Sequence, residues 1–193
     1  MALAAEKLST MSYAEYLAFE EQSNERHIFW EGELFAMSGG SQDHYALESK
    51  IHGLLFAGLG TGPCRAYTGN MRLRPLDGDD AVYADAVVVC GPREPHPEDP
   101  GAVTNPSVIV EVLSPTTERF DRGDKFTYYR SFPSIQHVVF LSQKALAVEH
   151  YSRQTDGTWR LTDLRPGDAL ALLGLSLRVE DIYADTSLMQ PVA

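Results

Sequence analysis

The chain has 193 residues, of which 44% are hydrophobic, and this is enough to fill one sizeable core. Ordinary composition excludes a disordered or repetitive protein, and the formal net charge of -11 argues against binding of DNA through a broad basic surface. No apolar stretch approaches the roughly 18 residues that span a membrane, and the N-terminus lacks a leader pattern, so we expect a cytoplasmic protein.

The first predicted elements are a short helix and a hairpin. Ser12 and Glu15 have the S-x-x-E spacing of a capping box, which predicts a helix that ends at about Phe19. The segment HIFWEGELFAM predicts two strands joined at Glu31 and Gly32, because glycine readily adopts the positive φ that a tight turn requires.

A longer helix and a group of strands come next. Residues 41–59 carry apolar side chains at helical spacing and predict a helix with one apolar face, which should pack on a sheet. The segments that follow are rich in strand-forming residues and bounded by Gly, Pro and Asn. They predict strands in CRAYTGNMRLRP, VYADAVVVC and SVIVEVL.

The rest of the chain predicts loops, strands and two helices. The prolines and acids of GPREPHPEDPGAVTNP predict a surface loop, and residues 114–132 predict a loop followed by a helix. Antiparallel strands, with a turn at Asp156 and Gly157, are predicted in HVVFLSQ, LAVEHYSR and TWRLTDL. The terminal VEDIY predicts a short helix. Cys64 and Cys90 lack a CxxC or Cys/His spacing, so we expect unpaired thiols in a reducing compartment.

Two acids stand in segments that are otherwise suited to burial. Asp85 lies in VYADAVVVC and Glu111 in VIVEVL. A buried carboxylate is costly unless it is paired, hydrogen-bonded or bound to a metal, and either acid alone is consistent with solvent exposure or an arginine partner. Two acids on strands that pair side by side instead favour a hard divalent cation, Mg²⁺ or Mn²⁺, held by Asp85 and Glu111.

Three further residues are candidates for the same site. Lys125 follows Asp121 by four residues on the predicted helix, and this spacing alone favours a helical ion pair over an ammonium directed at a phosphate. His44 lies on the apolar stripe of the long helix, where an orienting or capping role is the default. Glu33, taken alone, is a strand-opening acid beside a turn.

Several segments together resemble the Uma family of putative restriction endonucleases. They occur in the same order and are GELFAMSGGSQDHYALESKIHGLL, YADAVVVC, VIVEVLSPTTERFDRGDKFTYYRSFPSIQHVVFL and EHYSRQTDGTW. The most specific part is EVLSPTT followed by D-x-x-x-K-x-x-x-Y. The resemblance implies the PD-(D/E)XK nuclease-like superfamily: an α/β (mixed α+β) fold with a central mixed β-sheet flanked by helices, and a metal bound by acids on two adjacent strands.

The resemblance also assigns roles to individual residues. Asp85 matches the aspartate of the motif and Glu111 its second acid, although Ala84 replaces the usual preceding proline. Leu113 stands where the superfamily lysine is expected. In the resembled family the lysine is displaced onto the following helix, which implies a catalytic role for Lys125, so Lys125→Ala should lose activity with little change in melting temperature.

Glu33 and His44 match the glutamate and histidine positions of the family and are expected to complete the site, while Tyr129 matches its tyrosine but also suits the core. The implied activity is metal-dependent hydrolysis of phosphodiester bonds in DNA, and a homodimer is expected for an enzyme that cuts two strands. We expect one nuclease domain over residues 10–184, between an extension at 1–9 and a tail at 185–193.

Two other functions stay open. The first is a catalytically silent module of the same fold that binds nucleic acid or protein, which the acidic charge and the absence of an in-strand lysine favour. The second is hydrolysis of RNA or nucleotides by the same metal site. The buried acid pair distinguishes both hydrolases from the silent module, because a binding module does not need to bury two acids.

Overall fold

The computed structural model describes residues 7–37 and 39–189. In chain order, its strands are β1 (Lys7–Thr10), β2 (His27–Trp30), β3 (Glu33–Ala36), β4 (Cys64–Thr68), β5 (Arg72–Leu73), β6 (Val82–Tyr83), β7 (Ala86–Cys90), β8 (Pro95–His96), β9 (Asp99–Val103), β10 (Val108–Leu113), β11 (His137–Ser142), β12 (Val148–Arg153), β13 (Trp159–Leu164), β14 (Ala169–Leu172) and β15 (Leu175–Arg178). Its helices are α1 (Tyr13–Glu20), α2 (Gln42–Leu59), α3 (Glu118–Phe120), α4 (Phe126–Arg130) and α5 (Val179–Tyr183). A π-helical turn, Asp121–Lys125, joins α3 to α4, and a 3₁₀ turn spans Ser187–Met189.

The centre of the fold is a six-stranded mixed sheet in the order β13-β12-β11-β10-β7-β4. Within this sheet, β10 and β11 run parallel, and the other neighbouring strands are antiparallel. Smaller sheets, β1-β3-β2 and β6-β5-β9-β8, and the hairpin β14-β15 complete the layers. The predicted fold class, a central mixed sheet flanked by helices, is therefore confirmed.

Alternation along the strands sends side chains of the central sheet into two apolar layers. Residues such as Val88 and Val110 pack with α2, α5 and the β14-β15 hairpin. Residues such as Val87 and Ile109 pack with the helical segment 118–130 and with the small sheets. Since both faces of the sheet are covered, a charged group that projects from β10 is buried unless a cleft reaches it.

Local sequence signals correctly predicted several helices and one turn. Ser12 and Glu15 form both hydrogen bonds of the capping box at the start of α1. The β2-β3 turn places Glu31 at φ 50° and Gly32 at φ 76°. The predicted helices in 41–59 and in VEDIY are present as α2 and α5. None of the helices in the described residues is long and apolar enough to cross a membrane.

Two of the predicted segments differ from the structure. The segment VYADAVVVC is not one strand, because β6 and β7 belong to different sheets and Asp85 lies in the bend between them. The predicted surface loop after β7 contains β8 and β9, and β9 pairs in parallel with β5. This pairing is set by contacts between distant segments, which the composition of a Pro- and acid-rich loop does not indicate.

The expectation of unpaired thiols was also wrong. Cys64 and Cys90 occupy opposed positions on β4 and β7 and form a disulfide. Their separation of 26 residues carries no local motif, so only the strand pairing brings the sulfurs together. At the N-terminus, β1 pairs with β3, so residues 7–9 of the predicted extension are joined to a sheet.

Candidate active site

A cleft of about 270 Å³ opens at the end of the central sheet where β7 begins and β10 ends. Side chains from α2, from the bend before β7, from β10 and from the π-helical turn line it. The charged and titratable residues that line the cleft are Arg26, which precedes β2, and His44, Tyr45, Glu48, Asp85, Glu111, Asp121 and Lys125. This concentration of acids and bases in one concave site makes the cleft the candidate for chemistry.

Asp85 is held at the base of this cleft by the backbone of β10. Its Oδ2 accepts a hydrogen bond from the backbone N–H of Val112 at 2.6 Å, and its side chain is 16% exposed. The register of β7 and β10 pairs Ala86 with Val110, which places Asp85 and Glu111 opposite one another. The bend between β6 and β7 thus directs Asp85 into the cleft rather than into an apolar layer.

The start of α2 brings two more ligand-type side chains to Asp85. The Ser41 hydroxyl caps the helix by accepting a hydrogen bond from the backbone N–H of His44 at 3.1 Å. The Nε2 atom of His44 lies 3.3 Å from Oδ1 of Asp85, and Glu48 follows one helical turn later. One donor atom from each of His44, Glu48 and Asp85 lies within 4.8 Å of the other two, and we call these three residues the ligand group.

Glu111 and Lys125 form a buried ion pair beside this group. The Nζ atom of Lys125 lies 2.7 Å from Oε1 of Glu111 and 3.6 Å from Oδ1 of Asp121. The hydroxyl of Tyr129 donates a hydrogen bond to the same Glu111 oxygen. In the described residues no side chain or backbone group bonds Oε2 of Glu111, and Glu111 lines the cleft. Lys125 thus contacts Asp121 of the π-helical turn as well as Glu111 of β10.

The protonation preferences in the cleft show a surplus of negative charge. Burial raises the pKa of Glu111 to about 8, and Asp85 and Asp121 add to this rise against the opposing ammonium of Lys125. Burial and the neighbouring Asp85 likewise raise the pKa of Glu48. Four carboxyl groups thus compete for few positive charges, so the cleft should take up protons or a cation.

The two bases of the cleft respond to the same surplus. Burial acts to lower the pKa of Lys125, but Glu111 and Asp121 outweigh it and raise the pKa above its usual value. Burial also acts to lower the pKa of His44, while the contact with Asp85 and the charge of Glu48 raise it overall. Lys125 should therefore remain charged throughout the neutral range.

The donor set fits a divalent cation. Two carboxylates and an imidazole can each offer one atom to a common point, and hard divalent ions prefer oxygen ligands. The imidazole also suits ions softer than Mg²⁺, which makes Mn²⁺ a reasonable occupant beside Mg²⁺. Glu111 is not one of the three residues in this group, although it lines the same cleft.

The structure brings together most of the residues that the sequence predicted for the site. Asp85, Glu111, Lys125 and His44 all line the cleft, whereas Glu33 does not. Glu33 lies in β3, where its carboxylate pairs with Lys7. Sequence reasoning missed Glu48, although its i, i+4 spacing from His44 on a predicted helix was a usable signal.

A second, larger cleft of about 530 Å³ lies beyond Phe120. Its acids are Glu31, Asp77, Asp80 and Asp124, and the described residues that line it include no Lys, Arg or His. A phosphate-containing ligand would meet only like charge there. The smaller cleft, which holds Lys125 and the ligand group, is therefore the better candidate.

Gly40 tests the importance of the His44 position. A Cβ added at Gly40 would lie only 2.6–2.9 Å from three atoms of the His44 side chain, so Gly40→Ala must displace the imidazole. We expect this variant to bind Mn²⁺ about 10-fold more weakly when measured by calorimetry. A loss of this size is typical when the orientation of a metal ligand is disturbed.

Gly53→Ala is the matched control, because it lies in the same helix α2 and its added Cβ would meet nothing within 4 Å. It should raise stability by about 0.5–1 kcal/mol and leave Mn²⁺ affinity unchanged. Equal Mn²⁺ affinity in Gly40→Ala and the parent protein would exclude His44 from the ligand group.

Comparison with known proteins gives a consistent family. The family model Uma2, described as "Putative restriction endonuclease", matches residues 13–181. In Synechocystis sp. (strain ATCC 27184 / PCC 6803 / Kazusa), "Uncharacterized protein slr1290" is 32% identical over 175 residues, covering 90% of this chain and 91% of that protein. "Uncharacterized protein sll1609" of the same organism is 36% identical over 166 residues, covering 85% and 92%.

A solved structure shows the same fold. It is described as a putative nuclease belonging to DUF820 from Anabaena variabilis ATCC 29413, and it superposes with a TM-score of 0.71. The alignment covers 90% of this chain and 98% of that one at 16% identity. At this identity the likeness concerns the fold alone.

Proposed function

The chain belongs to the Uma2 family of "Putative restriction endonuclease" proteins, and from this premise we propose that it is a divalent-metal-dependent nuclease that hydrolyses phosphodiester bonds of DNA. One observation supports the proposal above the others. The donor atoms of His44, Glu48 and Asp85 converge within 4.8 Å of one another beside the buried Glu111–Lys125 pair. A purely structural ion pair does not need three further ligand-type side chains at its cleft.

Asp85 and Glu48 are the residues that would hold the cation, with His44 either as a third ligand or as the group that orients Asp85. When bound, a divalent ion there would polarise a phosphate oxygen and lower the pKa of a water molecule. The backbone N–H of Val112 fixes Asp85, and the Ser41 cap fixes the start of α2. Both ligands are thus presented by backbone that the fold holds in place.

Lys125 and Glu111 would act on the phosphate and on the attacking water. The charged Lys125 would balance the negative charge that develops on the phosphate, and its contacts with Glu111 and Asp121 hold it in position. With a cation beside it, Glu111 would be ionised at neutral pH, and its Oε2 would accept a proton from water. Leu113, at the usual position of the superfamily lysine, is only 4% exposed and packs in the apolar layer.

The proposal is tested by incubating the purified protein with supercoiled plasmid, linear duplex, single-stranded DNA and RNA. We expect cleavage of DNA with Mg²⁺ or Mn²⁺ and none with EDTA. Cleavage of RNA alone would make RNA the substrate in place of DNA and leave the proposed metal-dependent hydrolysis unchanged. Binding of metal without cleavage of any of the four substrates would instead support a catalytically silent module.

If the substrate is duplex DNA, a homodimer is part of the same proposal, because cleavage of both strands of a duplex requires two active sites or two encounters. Light scattering of the purified protein, alone and with DNA, would measure its mass. A monomer in both conditions would remove the dimer from the proposal and leave the chemistry of the cleft as it stands.

A further inference from the structure

We propose that Tyr45 is a stacking platform for a nucleotide base, so that the cleft accepts single-stranded or locally unpaired nucleic acid rather than an intact duplex. This inference rests on the proposed nuclease function and specifies its substrate class. It follows from the position of one exposed aromatic ring, the size of the cleft and the distribution of charge around it.

The ring of Tyr45 is exposed yet fixed. It is 53% exposed at the cleft, one residue along α2 from His44. The backbone N–H of Gly40 donates a hydrogen bond to the Tyr45 hydroxyl at 2.9 Å, which anchors the far end of the side chain. The His44 ring meets the Tyr45 ring edge to face, with centroids 5.9 Å apart at 85°. A ring held in this way loses little conformational freedom when a base stacks on it.

Apolar side chains extend the same surface into the cleft. Met37 is 37% exposed and lines the cleft, whereas Ile28 and Phe120, which also line it, are buried. Exposed apolar groups next to metal-ligating carboxylates serve no purpose in binding a bare phosphate. They do suit the flat, partly apolar face of a base whose own phosphate lies near Asp85 and Lys125.

The size and charge of the cleft disfavour a duplex. A volume of about 270 Å³ is near the lower limit for small-ligand sites, which are about 300–1,000 Å³. In the described part of the chain, Arg26 and Lys125 are the only Lys or Arg residues that line it, and Lys125 already contacts two carboxylates. Duplex DNA carries about one charge per 1.7 Å of axis, so two cations leave most of its phosphates uncompensated.

Stacking supplies affinity that does not depend on basic residues. A base on an aromatic ring binds with little sequence preference, because every base has a π-face. An acidic protein of net charge -11 can thereby hold a strand through one well-placed ring, with Arg26, whose guanidinium also lies 4.0 Å from Glu20, as a second cation of the cleft. The acidic surface that argues against duplex binding is compatible with this mode.

The test measures binding without turnover, in EDTA, with a fluorescent single-stranded pentanucleotide that carries 2-aminopurine. Tyr45→Ala should raise the Kd about 10-fold and remove the fluorescence quenching that stacking causes, whereas Tyr45→Phe, which keeps the ring but loses the hydroxyl bonded to Gly40, should retain the quenching and raise the Kd only about 2- to 3-fold. A strand with an abasic site in place of 2-aminopurine should bind the parent protein and Tyr45→Ala equally. The parent protein should bind a blunt duplex at least 10-fold more weakly than the single strand.

Phe56→Ala is the control, because Phe56 is an aromatic residue of the same helix, is 66% exposed and does not line the cleft. It should leave the Kd unchanged. An unchanged Kd in Tyr45→Ala, or an equal effect in Phe56→Ala, would overturn the inference even if metal-dependent cleavage is observed. Conversely, stacking on Tyr45 in a protein that cleaves nothing would reject the proposed nuclease while retaining the binding mode.

Discussion

Lys125→Met should abolish metal-dependent cleavage and, above pH 8 where Glu111 is ionised, lower the free energy of unfolding by about 3–5 kcal/mol, because it leaves a buried carboxylate without its partner. The two side chains of the Lys125–Glu111 pair are only 6% and 4% exposed. Without the ammonium, Glu111 would face Asp85 and Asp121 alone. Urea denaturation measures the stability and a fluorescent oligonucleotide assay measures the cleavage.

This result differs from the one expected from the sequence. A catalytic Lys125 was expected to leave the melting temperature nearly unchanged on substitution, but the residue is only 5% exposed and pairs with Glu111. Stability and activity therefore need a variant that separates them. The double variant Lys125→Met with Glu111→Gln removes both charges, and the glutamine oxygen can still accept the hydrogen bond from Tyr129.

The double variant should recover most of the stability lost in Lys125→Met and remain inactive. If it cleaves at the parental rate, neither member of the pair takes part in the chemistry. If Lys125→Met alone is active and stable, the ion pair is neither structural nor catalytic.

Asp85→Asn should reduce the rate of cleavage by on the order of 10³-fold, because it removes one charged residue from the ligand group while keeping the shape of the side chain. The asparagine Oδ1 can still accept the hydrogen bond from the N–H of Val112. In EDTA the variant should be as stable as the parent or more stable, since one of four repelling acids is gone. Added Mn²⁺ should raise the melting temperature of the parent but not of the variant.

Glu33→Gln is the matched control for this loss. Glu33 was expected in the site from the sequence, but its carboxylate pairs with Lys7 outside the cleft, where its side chain is 34% exposed. Cleavage by this variant should stay within about twofold of the parent. A loss comparable to that of Asp85→Asn would return Glu33 to the mechanism and contradict the placement of the active site.

Elements that local chemistry determines could be predicted from the sequence. The capping box at Ser12 and the turn at Gly32 each depend on residues within a few positions, and both are present in the structure. The apolar stripe of α2 likewise depends on spacing within one segment. The fold class followed from a resemblance that spans nearly the whole chain.

Features that depend on distant pairing could not be predicted. The strands β8 and β9 form because β9 pairs with β5, where Arg72 lies opposite Ala102, about 30 residues later in the chain, and not because of their own composition. The disulfide between Cys64 and Cys90 depends on the register of β4 and β7. The i, i+4 spacing of Glu48 from His44 could be read from the sequence, but the proximity of Glu48 to Asp85 arises only when α2 packs against the sheet.

Crystals soaked in Mn²⁺ and measured at the manganese absorption edge would test the central claim most directly. We predict an anomalous peak within coordination distance of Glu48 and Asp85 in the parent protein, and no peak there in Asp85→Asn. No peak in the cleft at an Mn²⁺ concentration that supports cleavage, or a peak bound by other residues, would contradict the account.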